Sequence, residues 1–306
     1  MKTKSLYSFC YLSCLFMIIA ICTAMISCGS GSSEVADLPL PYDPPAVRAP
    51  QIGDLYGSDG ETYANKDDMP TDVTPIGIVV YLGTETGETG FSHGLVMSLK
   101  TISNEYGTEF LIWQWSTEYW ISKVDFSWSD THSALPRCDT KATAMADMDG
   151  LANTAVLENC YKTGVHMRHD IAEAMALYNK NIPTPMGTKS TKWFVPSIGQ
   201  WYKALGESGI GKLSEYNLPF LGKYMNDESI SASINAALAK AGAGNFDKIS
   251  GGGIWTSSEY YCPEVPGAFA IHLSFGDTRS FPGYSAMWVL NARKDGELST
   301  YAFLAF

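Results

Sequence analysis

The feature that most constrains this chain lies at its start. Lys2 and Lys4 precede a mostly apolar run from Phe9 to Ile26, and the segment closes on Met25-Ile26-Ser27-Cys28. A basic head is held back by the negative cytoplasmic surface, the apolar stretch partitions into the bilayer, and a small residue before the cut fits a peptidase. The run is also near the length of a membrane span, so a cleaved leader competes with a retained anchor, and the small-residue ending favours the leader. The folded part must then be sought downstream, in a compartment that oxidises thiols.

The ending Ile26-Ser27-Cys28 resembles a bacterial lipobox, which makes residues 1–27 a lipoprotein signal peptide and Cys28 the acylated first residue of the mature protein. This implies an outer-membrane lipoprotein of a Gram-negative bacterium, held in lipid through Cys28 and facing the cell surface or the periplasm. Residues 28–50 continue with Gly29-Ser30-Gly31-Ser32-Ser33-Glu34 and then Pro39, Pro41, Pro44, Pro45 and Pro50. A stretch of that composition buries no core and serves as a tether. Of the 7 cysteines, Cys10, Cys14 and Cys22 leave with the signal, Cys28 takes the lipid, and Cys138, Cys160 and Cys262 remain. Three thiols allow at most one intramolecular disulfide, its pairing open, and their spacings are not those of metal ligands. A net charge of −11 with no basic patch repels phosphate backbones and excludes nucleic acid as a partner.

From Gln51 the composition becomes that of a single folded domain, 51–306. Gly53-Asp54-Leu55-Tyr56 reads as a short strand running into the turn Ser58-Asp59-Gly60. The β-branched run Pro75–Leu82 ends at Gly83 and pairs with His93–Leu99 across a polar loop, a hairpin. The tryptophan-rich region that follows fits no helical period and reads as loop and short strand. Helices are predicted over Asn153–Tyr161, from Ile171 to Tyr178 with Asp170 as N-cap, and after Pro196 with Ser197 as cap and Trp201, Tyr202 and Leu205 on one face. A fourth, over the Ala-rich Ser231–Ala241, is expected at the periphery. Trp193–Val195, Ile254–Ser257, Ala268–Phe275 and Met287–Arg293 read as strands, and Tyr301–Phe306 as an apolar closing tail.

Several of these pieces together resemble a known family. They are Asp149-Gly150 with Asn153-Thr154, Trp193-Phe194-Val195-Pro196-Ser197 with Gln200-Trp201, Ile254-Trp255-Thr256-Ser257-Ser258-Glu259-Tyr260, a strand ending Phe275-Gly276, and the final Leu304-Ala305-Phe306. In this order they are similar to bacterial secreted lipoprotein domains of the "major paralogous domain" type, and to the C-terminal domain of legionella-type collagen-like proteins. The resemblance covers 51–306. It implies an α+β, C-type-lectin-like fold, shared with formylglycine-generating enzymes, in which helices flank small antiparallel sheets with long irregular loops. It also implies surface display, adhesion or a place in a fimbrium, and it brings no catalytic residues. The motifs have a plain structural role as well: aromatic and branched residues fill a core, Pro196 ends a strand, Ser197 caps a helix, and the hydroxyls of Thr256, Ser257 and Ser258 satisfy backbone groups.

Catalytic patterns fare poorly. Gly206 to Leu213 has the Gly-x-x-x-x-Gly-Lys spacing of a phosphate-binding loop, but Leu213 stands where a hydroxyl must ligate magnesium, and the segment follows a helix. His166-x-x-His169-Asp170 lacks a distant third ligand. Asp147-x-Asp149-Gly150 has the look of a calcium loop, and Asp139 is a further hard oxygen ligand, yet no bidentate Glu stands at the required distance. No cofactor and no metal site is therefore expected, with calcium at Asp139, Asp147 and Asp149 the disfavoured alternative. A formylglycine-generating oxidoreductase needs reactive cysteines close together near the C-terminal end, where only Cys262 lies, and no Gly-x-Ser-x-Gly elbow occurs, so the chain is not read as an enzyme.

Aromatic chemistry remains. Trp113, Trp115, Tyr119, Trp120 and Trp128 are interleaved with Ser, Thr, Gln, Glu and Asp, the mixture in which rings stack on sugar C–H faces while polar groups fix hydroxyls. Tyr260, Tyr261, Phe281, Tyr284 and Trp288 form a second group. The expectation is a lipid-anchored binding protein, an adhesin or pilus-tip component recognising a glycan or a protein of a host or neighbouring cell. The alternative is a pilus-assembly subunit without soluble ligand, whose strands 268–275 and 287–293 pair with another subunit by strand addition.

Overall fold

The computed structural model describes residues 48–112, 115–116, 135–138, 140–163, 167–168, 170–185, 189–214, 225–226, 228–246, 253–260, 267–274, 286–293 and 297–306. In chain order the strands are β1 Leu55–Gly57, β2 Thr62–Tyr63, β3 Pro75–Leu82, β4 Gly94–Thr101, β5 Leu111–Ile112, β6 Trp115–Ser116, β7 Arg137–Cys138, β8 Met167–Arg168, β9 Met225–Asn226, β10 Gly253–Tyr260, β11 Gly267–Ser274, β12 Ala286–Arg293, β13 Glu297–Leu298 and β14 Tyr301–Ala305. The helices are α1 Lys141–Ala146, α2 Gly150–Thr163, α3 Asp170–Asn181, α4 Ile198–Leu205 and α5 Glu228–Lys240. The fold is α+β. Among the described residues no helix is long and apolar enough to cross a membrane.

The first sheet has the order β14-β4-β3-β1-β2, and every neighbour pair in it is antiparallel. The hairpin expected from the β-branched run is its centre, with Ile78 opposite Met97 and Val79 opposite Val96. Strand β14 explains why this sheet reads as continuous apolar runs rather than a half-polar alternation. Tyr301, Phe303 and Ala305 pack with Leu95 and Met97 on one side, while Ala302, Leu304 and Phe306 pack with Val96 on the other. Successive side chains point to opposite faces, and here each face meets its own core.

One core is closed by Ile198, Trp201, Tyr202 and Leu205 of α4 and by Ile230, Ile234 and Leu238 of α5. The Ala-rich helix is thus part of the core and not peripheral: its branched residues recur every four positions and form a buried stripe. The other core takes Ile171, Ala174, Met175 and Tyr178 of α3, Leu157 of α2, and the rings of Trp193 and Trp255.

The free edge of β14 is covered by the segment expected to be a strand at Trp193–Val195. Only Phe194 makes a bridge there, exchanging two 2.8 Å backbone bonds with Phe303. Trp193 instead gives its N–H to Asn179 Oδ1 and accepts from Asn179 Nδ2, both at 2.9 Å, so a side chain stands where a neighbouring strand would be. Thr191 adds a bond from its N–H to the Ala305 carbonyl at 2.9 Å. Covering an edge in this way blocks pairing with other chains.

The second sheet has the order β7-β10-β11-β12-β9. It is not wholly antiparallel, because β7 runs parallel to β10, with Cys138 opposite Tyr260. Strand β11 is central: its two edges are taken by β10 and β12. Strand addition through residues 268–274 therefore finds no free edge, and residue 275 lies outside the described residues. Two short pairs, β13 with β5 and β6 with β8, complete the strands.

Candidate functional site

Three motifs, Asp149-Gly150 with Asn153-Thr154, Ser197 with Gln200, and Thr256-Ser257-Ser258, converge on Asp147. Helix α1 presents this residue at its C-terminal end, and starts at a capping box in which Thr143 N–H bonds Thr140 Oγ1 at 3.1 Å and Thr140 N–H bonds Thr143 Oγ1 at 3.0 Å. The Asp147 carboxylate is buried and faces donors. Asn153 Nδ2 reaches its two oxygens at 3.2 and 3.3 Å, Asp149 N–H reaches Oδ1 at 3.3 Å, and the Ser258 hydroxyl donates to Oδ2. The Cys138 sulfur, also buried, is 3.9 Å from Oδ2 and 3.7 Å from the Thr143 carbonyl. Burial raises the Asp147 pKa above its ordinary value, and the bonds from Ser258, Asp149 and Asn153 oppose that rise.

The backbone of Asp147 is equally engaged. Its carbonyl accepts the Ser197 hydroxyl at 2.7 Å and Gly199 N–H at 3.0 Å. A Cβ on Gly199 would stand 2.2 Å from that carbonyl oxygen, which is why the helix start needs glycine there. Ser258 closes the loop: its Oγ accepts Ile198 N–H at 2.8 Å, one of the amides that a helix start leaves without an internal partner.

Gln200 joins this knot to the β3–β4 loop. With Ser197 it forms the second capping box, Oε1 accepting Ser197 N–H at 3.0 Å. Its Nε2 donates to the Thr86 carbonyl at 2.9 Å and to Glu88 Oε1 at 3.2 Å. Glu88 Oε1 also accepts Leu151 N–H at 3.1 Å, in the first turn of α2, where a negative charge suits the helix dipole. Burial nevertheless raises the Glu88 pKa, against the bonds from Leu151 and Gln200. A third tie links α2 to the Trp-Phe-Val motif, Thr154 Oγ1 accepting Val195 N–H at 2.9 Å.

This arrangement ties α1, α2, α4, β10 and the β3–β4 loop together through side chains that are mostly buried. Ser197, Gln200, Thr256, Ser257 and Ser258 are all 0% exposed. The Asp147 oxygens are filled by N–H and O–H donors, the reverse of what a cation needs, and among the described residues no group of three His, Cys, Asp or Glu stands ready to hold a metal. The phosphate-loop spacing at Gly206 to Leu213 is likewise closed. The N–H groups of Gly209, Ile210, Gly211, Lys212 and Leu213 bond the carbonyls of Gly206, Val80, Ala204, Gly209 and Leu205, which leaves no cradle of amides for an anion.

Trp113, Tyr119, Trp120, Trp128, Tyr261, Phe281 and Tyr284 lie outside the described residues, as do Cys28, Asp139, His166, His169 and Cys262. Of the rest, Trp115 belongs to β6, opposite Arg168, while Tyr260 and Trp288 share the second sheet, opposite Gly267 and His272. Asp170 is the first residue of α3 and is buried, its Oδ2 accepting Ile112 N–H at 3.4 Å. The sequence flagged Ser197, Gln200, Ser258 and Asp147 but not Glu88, Thr86 or Asn179, for which no local pattern exists. No family model, curated protein or solved structure matches the chain.

Proposed function

We propose that this chain is a lipid-anchored binding protein of the C-type-lectin-like fold, related to the "major paralogous domain" lipoproteins and acting as an adhesin or pilus-tip component at the outer membrane. One observation carries the reading. The polar residues of all three motifs are bonded to one another at 0–4% exposure for Asp147, Ser197, Gln200 and Ser258, so their role is to hold a frame. A fold whose distinctive polar groups are consumed internally does its work through what the frame presents. In this chain the sequence between β5 and β7 supplies Trp113, Trp115, Tyr119, Trp120 and Trp128, and the late strands and their connections supply Tyr260, Tyr261, Tyr284 and Trp288. Rings with polar neighbours suit glycans and protein surfaces alike. The placement of β1 and β14 in one sheet, with helices and a second sheet between them in sequence, supports the C-type-lectin-like assignment.

The test is a screen of the full chain in detergent on glycan and matrix-protein arrays, with and without calcium. Reproducible binding that is lost in Trp115→Ala or Trp120→Ala is the expected result. A blank array, together with unchanged adhesion of cells lacking the protein, would overturn it.

A further inference from the structure

Arg48 is the only Lys or Arg between Lys4 and Lys66, and it stands where the Pro-rich stretch meets the folded domain. Its Nη2 donates to Asp54 Oδ2 at 2.6 Å, and the same oxygen accepts Gln51 N–H at 2.7 Å. The Asp54 side chain is 4% exposed against 38% for Arg48, so the guanidinium reaches in from the surface to a buried carboxylate. Charge-assisted bonds of this kind are shorter and stronger than neutral ones.

Asp54 is itself held from two sides. Gly53 N–H bonds the Val79 carbonyl and Val79 N–H bonds the Asp54 carbonyl, both at 2.8 Å, which ties residues 53 and 54 to β3. From the other side Lys240, the last residue of α5, donates its Nζ to the Gly53 carbonyl at 3.0 Å. The sheet order puts β1 between β3 and β2, so the chain enters the first sheet at an interior strand and not at an edge.

Bonds loaded one after another give way singly, whereas bonds loaded together share the force. Without the Arg48 bond, tension arriving at residue 48 would straighten residues 49–50 and then strip the Gln51 and Gly53 bonds in turn. With it, residues 48–54 form a closed loop that the tension bypasses. The load falls on Asp54, where the two backbone bonds to Val79 and the Lys240 bond act together.

We propose that Arg48 and Asp54 form a latch that takes up tension arriving along the tether and passes it into β3 and α5, so that the domain stays folded while its anchor is pulled. This deepens the function proposed above, because an anchored adhesin bears load between its ligand and the lipid. The test needs neither ligand nor membrane, so a blank binding array and a failed latch are separate results.

The experiment holds the full chain, in detergent, by handles at its two ends in magnetic tweezers. At fixed tension the first extension step should come about ten- to a hundredfold sooner in Asp54→Asn and in Arg48→Gln than in the parent, the range expected for one hydrogen bond to a charged group. Asp54→Asn keeps an acceptor for Gln51 N–H. The double variant should be no weaker than either single one, since all three lack the same bond. Trypsin reads the latch without load: between Lys4 and Lys66 it can cut only at Arg48, whose guanidinium must leave Asp54 to enter the protease. The rate of cutting at Arg48 divided by that at Lys66 should rise about tenfold or more in Asp54→Asn, and the ratio removes any general loosening of the domain. A first step unchanged in both single variants, or an unchanged cleavage ratio, overturns the proposal. So does a double variant in which the two effects add, because Arg48 and Asp54 then act separately.

Discussion

Ser257 and Ser258 are adjacent, chemically identical and both 0% exposed, yet the structure assigns them opposite energetic signs. Ser258 Oγ donates to Asp147 and accepts Ile198 N–H at 2.8 Å. In Ser258→Ala the Ile198 amide loses its partner and the Asp147 carboxylate loses a donor, both away from water. Orphaning the amide costs about 1–3 kcal/mol and removing one donor from a carboxylate that keeps Asn153 and Asp149 costs about 1–2 kcal/mol more, so the variant should lose about 2–5 kcal/mol. Among the described residues Ser257 Oγ has no hydrogen-bond partner, although its backbone N–H bonds the Pro196 carbonyl at 2.9 Å. Ser257→Ala keeps that backbone bond and removes a buried, unsatisfied hydroxyl, so it should be neutral or stabilise by up to about 1 kcal/mol. For a domain of this size about 2–4 °C of melting temperature corresponds to 1 kcal/mol, so Ser258→Ala should melt roughly 4–20 °C lower while Ser257→Ala holds or rises. Guanidinium unfolding at constant m gives the same comparison as free energies. If the two alanine variants fall within about 1 kcal/mol of each other, the assignment of the knot to Ser258 is wrong.

Other perturbations address the same network. Because burial raises the Glu88 pKa above 4.5, the native chain keeps a proton that the unfolded chain has released, and stability falls as pH rises from the unfolded value through the folded one. Glu88→Gln retains an acceptor for Leu151 and Gln200, so its melting temperature should fall less steeply as pH rises above the unfolded-state value, with the slope due to Asp147 remaining. Gln200→Glu sets a second carboxylate against Glu88 and strips the Thr86 carbonyl of its donor. It should cost about 3–5 kcal/mol, partly recovered in the double variant with Glu88→Gln, as a double-mutant cycle would reveal. Gly199→Ala forces a Cβ to 2.2 Å from a backbone oxygen, and should yield little folded protein, judged by circular dichroism and soluble yield.

What the sequence made legible was local. The β3–β4 hairpin follows from an unbroken β-branched run and a glycine-flanked loop, and the α4 start from Ser197-x-x-Gln200, a capping signature that needs no knowledge of the rest of the chain. Helix α1 is not legible in the sequence although Thr140 and Thr143 cap it, because six residues are too few to display a period. The alanines of α5 suggest a peripheral helix, whereas the four-residue spacing of Ile230, Ile234 and Leu238 buries it. Trp193–Val195 has the composition of a strand, and only the distant Asn179 explains why a single bridge forms. The candidate site was half legible for a similar reason. Asp147, Ser197 and Ser258 stand out by motif, but their partners lie dozens of residues away, and no spacing rule connects Gln200 to Thr86 or Ser258 to Ile198.

The sharing of one sheet by β1 and β14 also sets an order of events in time. Until Tyr301–Ala305 exists, β4 lacks one neighbour and both cores lack the residues that alternate between them. At about 5–20 residues per second, a ribosome takes roughly 10–50 s to travel from the first of these strands to the last. During that interval the β3–β4 hairpin and the tryptophans have no finished core to enter, and pairings this distant in sequence form slowly even afterwards. Until β14 emerges the first sheet cannot close, and the incomplete chain is exposed to aggregation if no holdase covers it.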